Sequence, residues 1–264
     1  MIPFSLIKVF NDPGLQLAGN TSAVVLLEKP LSTAQMQRLA SDFNQPATTF
    51  LQRRDAKNFE VRWFAPDAEI GLCGHGSAAA MGYLYEEFQL EKAHFHAKGQ
   101  RITGAWERGH EVSIYLDHIE IIDHKQGFPA LADALGVPVR DYFTTTNKDI
   151  VLIDSEELLQ QMRPNFSALA QLEPFGYTVT APGQEVDFVS RTLVPKVQQL
   201  EDHATGSSHA VLTPFWSERL GKKQMTARQL SPRGGALTCE MGLSKVKLSG
   251  RFQKVAQGQL AEDN

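Results

Sequence analysis

The chain contains a copy of part of itself, and this constrains its fold more than any single motif. Setting Cys73-Gly74-His75-Gly76-Ser77-Ala78 beneath Thr205-Gly206-Ser207-Ser208-His209-Ala210 puts Gly74 on Gly206 and Ala78 on Ala210. In both stretches small polar residues lead into apolar ones. Upstream, each copy has a glutamate four residues before the Cys or Thr (Glu69 and Glu201). Each also has an arginine four residues before a proline, Arg62 with Pro66 and Arg191 with Pro195. Several matches in one register point to duplication rather than coincidence. Each unit reads as strand, Pro-marked loop, Gly/Ser-rich turn and small-residue helix. The expected halves are residues 1–120 and 121–264, with the C-terminal strand free to return to the first.

Two helices carry the repeat, one from Gly74 to about Phe88 and one from Gly206 to about Trp216. The first has Ala78, Ala79, Ala80 and Gly82 early in it. A helix that small on several faces is packed closely all round, as at the axis of a sheet wrapped about it. Its N-terminus carries unsatisfied N–H groups and partial positive charge, which suit carboxylates and oxyanions. Two such ends, related by a pseudo-twofold, are expected to open on one interdomain cleft and to hold one small anionic substrate.

The rest of the chain alternates short strands and helices. Ser5 to Phe10, Ala23 to Leu27, Phe59 to Trp63, Asp149 to Ile153 and Tyr177 to Thr180 read as strands, and His94 to Leu116 as several. Ser32 with Gln35 forms a capping-box pattern that opens a helix to about Phe43. Short helices are expected from Phe128 to Leu135, after Ser155, and from Phe166 to Leu172. Residues 117–125 read as a link between halves, and Gly258 to Asn264 as a polar, fraying tail.

Composition excludes several classes. A net charge of −4 with scattered basic residues gives no footprint for nucleic acid or an anionic membrane. No run reaches about 18 apolar residues, and no secretory signal is visible. Two cysteines, Cys73 and Cys239, make no disulfide framework, so a cytoplasmic setting is expected. His94 and His96 share a strand face but find no third ligand, so no metal is expected. No nucleotide-binding glycine fingerprint occurs.

The chain resembles the phenazine-biosynthesis PhzF-like family, relatives of diaminopimelate epimerase and proline racemase. The matching pieces are Gly19-Asn20, Arg62-Trp63-Phe64-Ala65-Pro66, Leu72-Cys73-Gly74-His75-Gly76, Asp187-Phe188-Val189-Ser190-Arg191 and Glu201-Asp202-His203-Ala204-Thr205-Gly206-Ser207. Gln229-Leu230-Ser231-Pro232-Arg233-Gly234-Gly235 and Val246-Lys247-Leu248-Ser249-Gly250 complete them. The resemblance implies an α/β (α+β) fold of two similar domains, each a mostly antiparallel sheet curled round a central helix. It implies an isomerase or epimerase that needs neither metal nor organic cofactor, commonly a homodimer, acting on a small carboxylic acid. By motif it puts catalysis on Asp202 and His75, and substrate binding on Gly74, Gly76, Ser77, Gly206, Ser207 and Asn20. An imidazole and a carboxylate facing one substrate suit a proton shift. Each residue also has a plainer reading: His75 as a hydrogen-bonded turn residue, Asp202 as a cap for the turn before Thr205.

The resemblance breaks at two places. The family's acid/base glutamate lies in a motif like Asn-Leu-Ser-Glu-Thr-Ala-Phe, which here reads Asn44-Gln45-Pro46-Ala47-Thr48-Thr49-Phe50. Ala47 moves no proton, so a non-catalytic binding protein or an impaired paralogue stands as the alternative to an enzyme. The two-cysteine mechanism of the epimerase relatives also fails to transfer, because Thr205 stands opposite Cys73. Cys73 then reads as a packing residue or as a thiol acting beside His75, and Cys239 as structural.

Overall fold

The computed structural model describes residues 1–260 and divides the chain into two compact units. Among the described residues, unit 1 comprises 1–116 and 247–260, and unit 2 comprises 117–246. The C-terminal strand thus belongs with the N-terminal unit.

Unit 1 runs β1 (Ile2–Val9), β2 (Asn20–Leu27), α1 (Thr33–Phe43), β3 (Ala47–Arg53), β4 (Asn58–Phe64) and β5 (Glu69–Ile70), then α2 (Gly74–Phe88), β6 (Lys92–Ala97), β7 (Gln100–Trp106) and β8 (Glu111–Asp117). Unit 2 runs β9 (Ile121–Lys125), α3 (Pro129–Leu135), β10 (Asp141–Thr145), β11 (Asp149–Leu152), α4 (Glu156–Gln161) and α5 (Phe166–Ala170). It continues with β12 (Tyr177–Pro182), β13 (Phe188–Leu193), β14 (Glu201–Asp202), α6 (Gly206–Leu220), β15 (Gln224–Gln229) and β16 (Gly235–Met241). β17 (Lys245–Leu260) begins in unit 2 and ends in unit 1.

The strands of unit 1 close on themselves. β1 pairs with β2, and β2 lies parallel to β3. β3 pairs with β4, β4 runs parallel to β6, and β6–β7–β8 form a meander. β17 pairs with both β8 and β1 and completes the circuit. Such a barrel has room for side chains or for one slim object. Here the object is α2, whose residues from Gly74 to Leu84 are all buried. Small residues are therefore a requirement of space. A Cβ on Gly82 would stand 2.5 Å from the Phe252 ring of β17.

Unit 2 repeats the pairing scheme. β10 pairs with β11, β11 runs parallel to β12, β12 pairs with β13, and β13 is parallel to β15, which pairs with β16. β14 returns beside β13 as β5 does beside β4. Helices α2 and α6 are each 15 residues long and begin at Gly74 and Gly206, where the repeat puts them. The sheet-round-a-helix fold expected from the sequence is the one observed. Outside the unit 2 sheet, α3, α4 and α5 cover a second core of Leu131, Leu135, Leu159, Leu169, Tyr177 and Val179.

The capping box is present: Ser32 Oγ accepts from Gln35 N at 3.3 Å, and Gln35 Oε1 accepts from Ser32 N at 2.9 Å. Two expectations are corrected. Residues 117–125 are not merely a link, because β9 pairs antiparallel with β10. Every residue of β9 is exposed, so backbone pairing forms it and no apolar alternation marks it. The tail does not fray from Gly258, because β17 continues to Leu260 against β1. The remainder of the expected tail, 261–264, lies outside the described residues.

Candidate active site

In unit 1 the site residues gather at the start of α2. Cys73 is its N-cap, with Sγ accepting from Gly76 N at 3.3 Å. The His75 ring lies against the same sulfur, with Nδ1 at 3.7 Å and Nε2 at 3.8 Å. Ser77 Oγ donates to the Cys73 carbonyl at 2.8 Å. Cys73, His75 and Ser77 are all buried. Gly76 has no room for a side chain: a Cβ would fall 2.7 Å from Thr49 Oγ1 and 2.8 Å from Trp63. The helix start is thus pressed against β3 and β4.

Asn20 opens β2 and is fully buried. Strand alternation puts it on the face shared by Ser22, whose Oγ lies 2.8 Å from Thr49 Oγ1. Ala47 opens β3, paired with Ser22 and fully buried. The position matched to the family glutamate is therefore an apolar, solvent-free point at the end of this hydroxyl-lined wall.

In unit 2 the corresponding gathering surrounds the start of α6. Thr205 Oγ1 donates to Asp202 Oδ2 at 2.7 Å, and Thr205 N donates to Gln229 Oε1 at 2.8 Å. Asp202 is half-buried at the end of β14. Ser207 is buried and its Oγ accepts from Lys148 Nζ at 2.9 Å, with Lys148 only 8% exposed. Ser208 Oγ accepts from Thr178 and Thr192, each at 2.9 Å. His209 Nδ1 donates to the Thr205 carbonyl at 2.8 Å, the place that Ser77 takes in the first unit. Burial holds the His209 imidazole at about 4, well below the ordinary histidine value, so it is neutral. Burial lowers His203 in the same direction.

The structure brings Cys73, His75, Gly76 and Ser77 together in one unit, and Asp202, Thr205, Gly206 and Ser207 together in the other. Asp202 does contact the turn, as its plainer reading required, yet the contact places a hydroxyl donor on its carboxylate. Sequence reasoning missed Lys148, which lies in the turn between β10 and β11, and the part played by Gln229. A lone lysine before an aspartate carries no signal of burial, whereas Gln229 did lie in a motif that had been singled out.

His94 and His96 have local partners instead of a shared ligand. His94 Nδ1 lies 3.1 Å from Thr103 Oγ1, and His96 Nε2 lies 2.8 Å from Asn58 Oδ1. Among the described residues no group of three or more His, Cys, Asp or Glu is placed so that it could hold a metal ion, and no helix is long and apolar enough to cross a membrane. Cys239 is fully buried, and burial pushes its thiol up to about 12, which suits a structural residue.

A sheet curled round a small-residue helix, twice over, is the racemase and epimerase class of fold. A hydroxyproline epimerase from Agrobacterium vitis shares it, with a TM-score of 0.69 at 11% identity over 100% of this chain and 93% of that one. Within that class the chain belongs to the Phenazine biosynthesis-like protein family (PhzC-PhzF), whose pattern matches residues 7–101 and 117–258. A PhzF-family protein from Enterococcus faecalis superposes with a TM-score of 0.89 at 32% identity, covering 99% of both chains. An uncharacterized isomerase from Pseudomonas aeruginosa is 36% identical over 92% of this chain and 93% of its own length.

Proposed function

We propose that the protein is a cofactor-independent isomerase that moves a proton on a small amino or hydroxy acid. Membership of a family whose relatives carry the name isomerase supports the reaction class. The observation that carries the residue assignment is the paired design of the helix starts. Each has backbone amides at a buried N-terminus and, two or three residues from the cap, the titratable side chain that the family motif marks, His75 on α2 and Asp202 before α6.

A carbon–hydrogen bond beside a carboxylate is a weak acid, because the electron pair left behind must enter the carboxylate as an enolate. Amides of Gly74, Gly206 and Ser207 would hold that charge, as helix N-termini hold anions, and the Gly76 amide would join them on leaving Cys73 Sγ. Asp202 would take the proton and His75 return one, or the reverse, so that charge and proton count balance. Ser77 and Asn20 would complete the binding surface, and Ser207 would reach the acid with its hydroxyl fixed by Lys148. The reading requires both helix starts to serve one acid, which a ligand-bound crystal structure tests.

Ala47 supports a second reading, a binding protein for the same class of acid, since that point of β3 holds no titratable group. Incubation with a panel of amino and hydroxy acids in D₂O separates the two. Deuterium entering a carbon-bound position supports an enzyme, and binding without exchange supports the alternative.

A further inference from the structure

Threonine at a helix N-cap ordinarily turns its hydroxyl onto the amides of the first turn. Thr205 makes no such bond to α6. Its hydroxyl proton goes to Asp202 Oδ2 instead. The group beside it is Gln229, fully buried at the end of β15. Gln229 Nε2 donates to Thr205 Oγ1 at 3.1 Å and to the Asp202 carbonyl at 2.5 Å. Its Oε1 accepts from Thr205 N at 2.8 Å. This fixes the amide orientation, since the reverse would face an NH₂ against the Thr205 N–H. A hydroxyl has one proton, and the Gln229 donor occupies a lone pair of Thr205 Oγ1. The proton is left to point at Asp202. A second brace lies alongside, where Ser231 Oγ donates to the His203 carbonyl at 2.7 Å.

We infer that Gln229 is a positioning residue for Asp202, acting through Thr205 to hold the carboxylate at the end of β14 with a hydroxyl proton aimed at Oδ2. The inference rests on the role proposed for Asp202 and gives the Gln229–Gly235 motif a purpose. Side chain to side chain, the contacts run Gln229 to Thr205 to the Asp202 carboxylate, so these two links should fail as one.

The test uses Gln229→Glu, which keeps the acceptor for Thr205 N and loses both Nε2 bonds, together with Thr205→Val and Thr205→Ser in the full-length protein. In crystals of Gln229→Glu, Asp202 Oδ2 is expected beyond hydrogen-bond reach of Thr205 Oγ1 with α6 unmoved. In exchange assays kcat should fall about 10²-fold, the scale of a misplacement near 1 Å, with KM within about twofold. Thr205→Ser should keep the wild-type rate. Thr205→Val should fall as far as Gln229→Glu, and the double variant no further. An Asp202–Thr205 contact that persists in Gln229→Glu, additive losses, or a Thr205→Ser variant as impaired as Thr205→Val would overturn the inference. Absence of exchange by the wild type would refute the isomerase reading alone, and the clamp is then judged on the distance in the variant crystals. Should Gln229→Glu fail to fold, the contrast of Thr205→Val with Thr205→Ser decides.

Discussion

Arg191 grips Glu201 at two points, Nε to Oε1 and Nη2 to Oε2, each at 2.8 Å, and so ties β13 to β14 just before the turn into α6. Arg62 and Glu69 make the same two-point pair between β4 and β5, each contact at 2.7 Å. Both arginines reach one step further. Arg191 donates to the Met162 carbonyl just beyond α4 at 3.0 Å, and Arg62 to Thr33 Oγ1 at the start of α1 at 3.0 Å. The duplication thus preserves a working contact as well as a topology.

The two pairs should differ in weight. Arg191 and Glu201 are 12% and 11% exposed, against 36% and 43% for Arg62 and Glu69. Removing one partner of a buried pair strands the other charge, at about 3–5 kcal/mol. The exposed pair is worth roughly 0–1 kcal/mol. Urea unfolding of Arg191→Met should therefore show a loss several times that of Arg62→Met. Equal losses would contradict the burial argument.

Gly82→Ala tests the packing of α2 inside its barrel. Helix propensity alone favours alanine by about 1 kcal/mol. The new Cβ would meet the buried Phe252 ring at 2.5 Å, and overpacking of this kind costs about 1–3 kcal/mol. A net destabilisation is expected in thermal or urea unfolding. Phe252→Leu in the same background should recover part of it.

His209 gives the stability a pH dependence of predictable sign. Its folded-state value is about 4 against 6.5 for an unperturbed histidine, so between those values the unfolded chain binds more protons. Its stabilising contribution is complete above pH 6.5 and is lost as pH falls through the window to about 4. The full amount is of the order of 3 kcal/mol. His203 shifts in the same direction. Glu69 and Asp187 are both lowered from 4.5 and 3.8, so their losses begin further into acid. Urea midpoints measured from pH 7 to pH 4.5 should fall for the wild type and flatten for His209→Gln.

Much of this architecture was legible because the repeat carries a physical requirement. Gly74 and Gly206 mark helix starts, and Ala78 to Gly82 declare a helix with neighbours on every side. β9 was hidden because its exposed residues show no alternation, and the last residues of β17 because they are polar while their pairing comes from β1. The Asp202–Thr205 contact was foreseeable as a turn cap. Lys148 was not, since nothing in Asn147-Lys148-Asp149 tells that the ammonium is buried against a residue 59 positions away. Gln229 stood in a recognised motif, but its three hydrogen bonds are a matter of tertiary geometry.

Ala47 marks the point where the proposed chemistry is weakest. A general acid or base contributes typically about 10²–10⁴ in rate. Ala47→Glu should raise exchange on a family-type acid by at least about tenfold, at a cost in stability because the site is fully buried. An unchanged rate in a folded variant would show that the rest of the wall no longer directs substrate to β3.

The most direct measurement is α-proton exchange in D₂O by the wild type and by Asp202→Asn, with affinity for the same acid measured in parallel. Asparagine keeps the size and the Thr205 contact but loses the base. The account predicts exchange by the wild type, a loss of about 10²–10⁴-fold in the variant, and affinity changed by no more than a few-fold. His75→Gln should behave likewise. Exchange by Asp202→Asn at the wild-type rate would contradict the account.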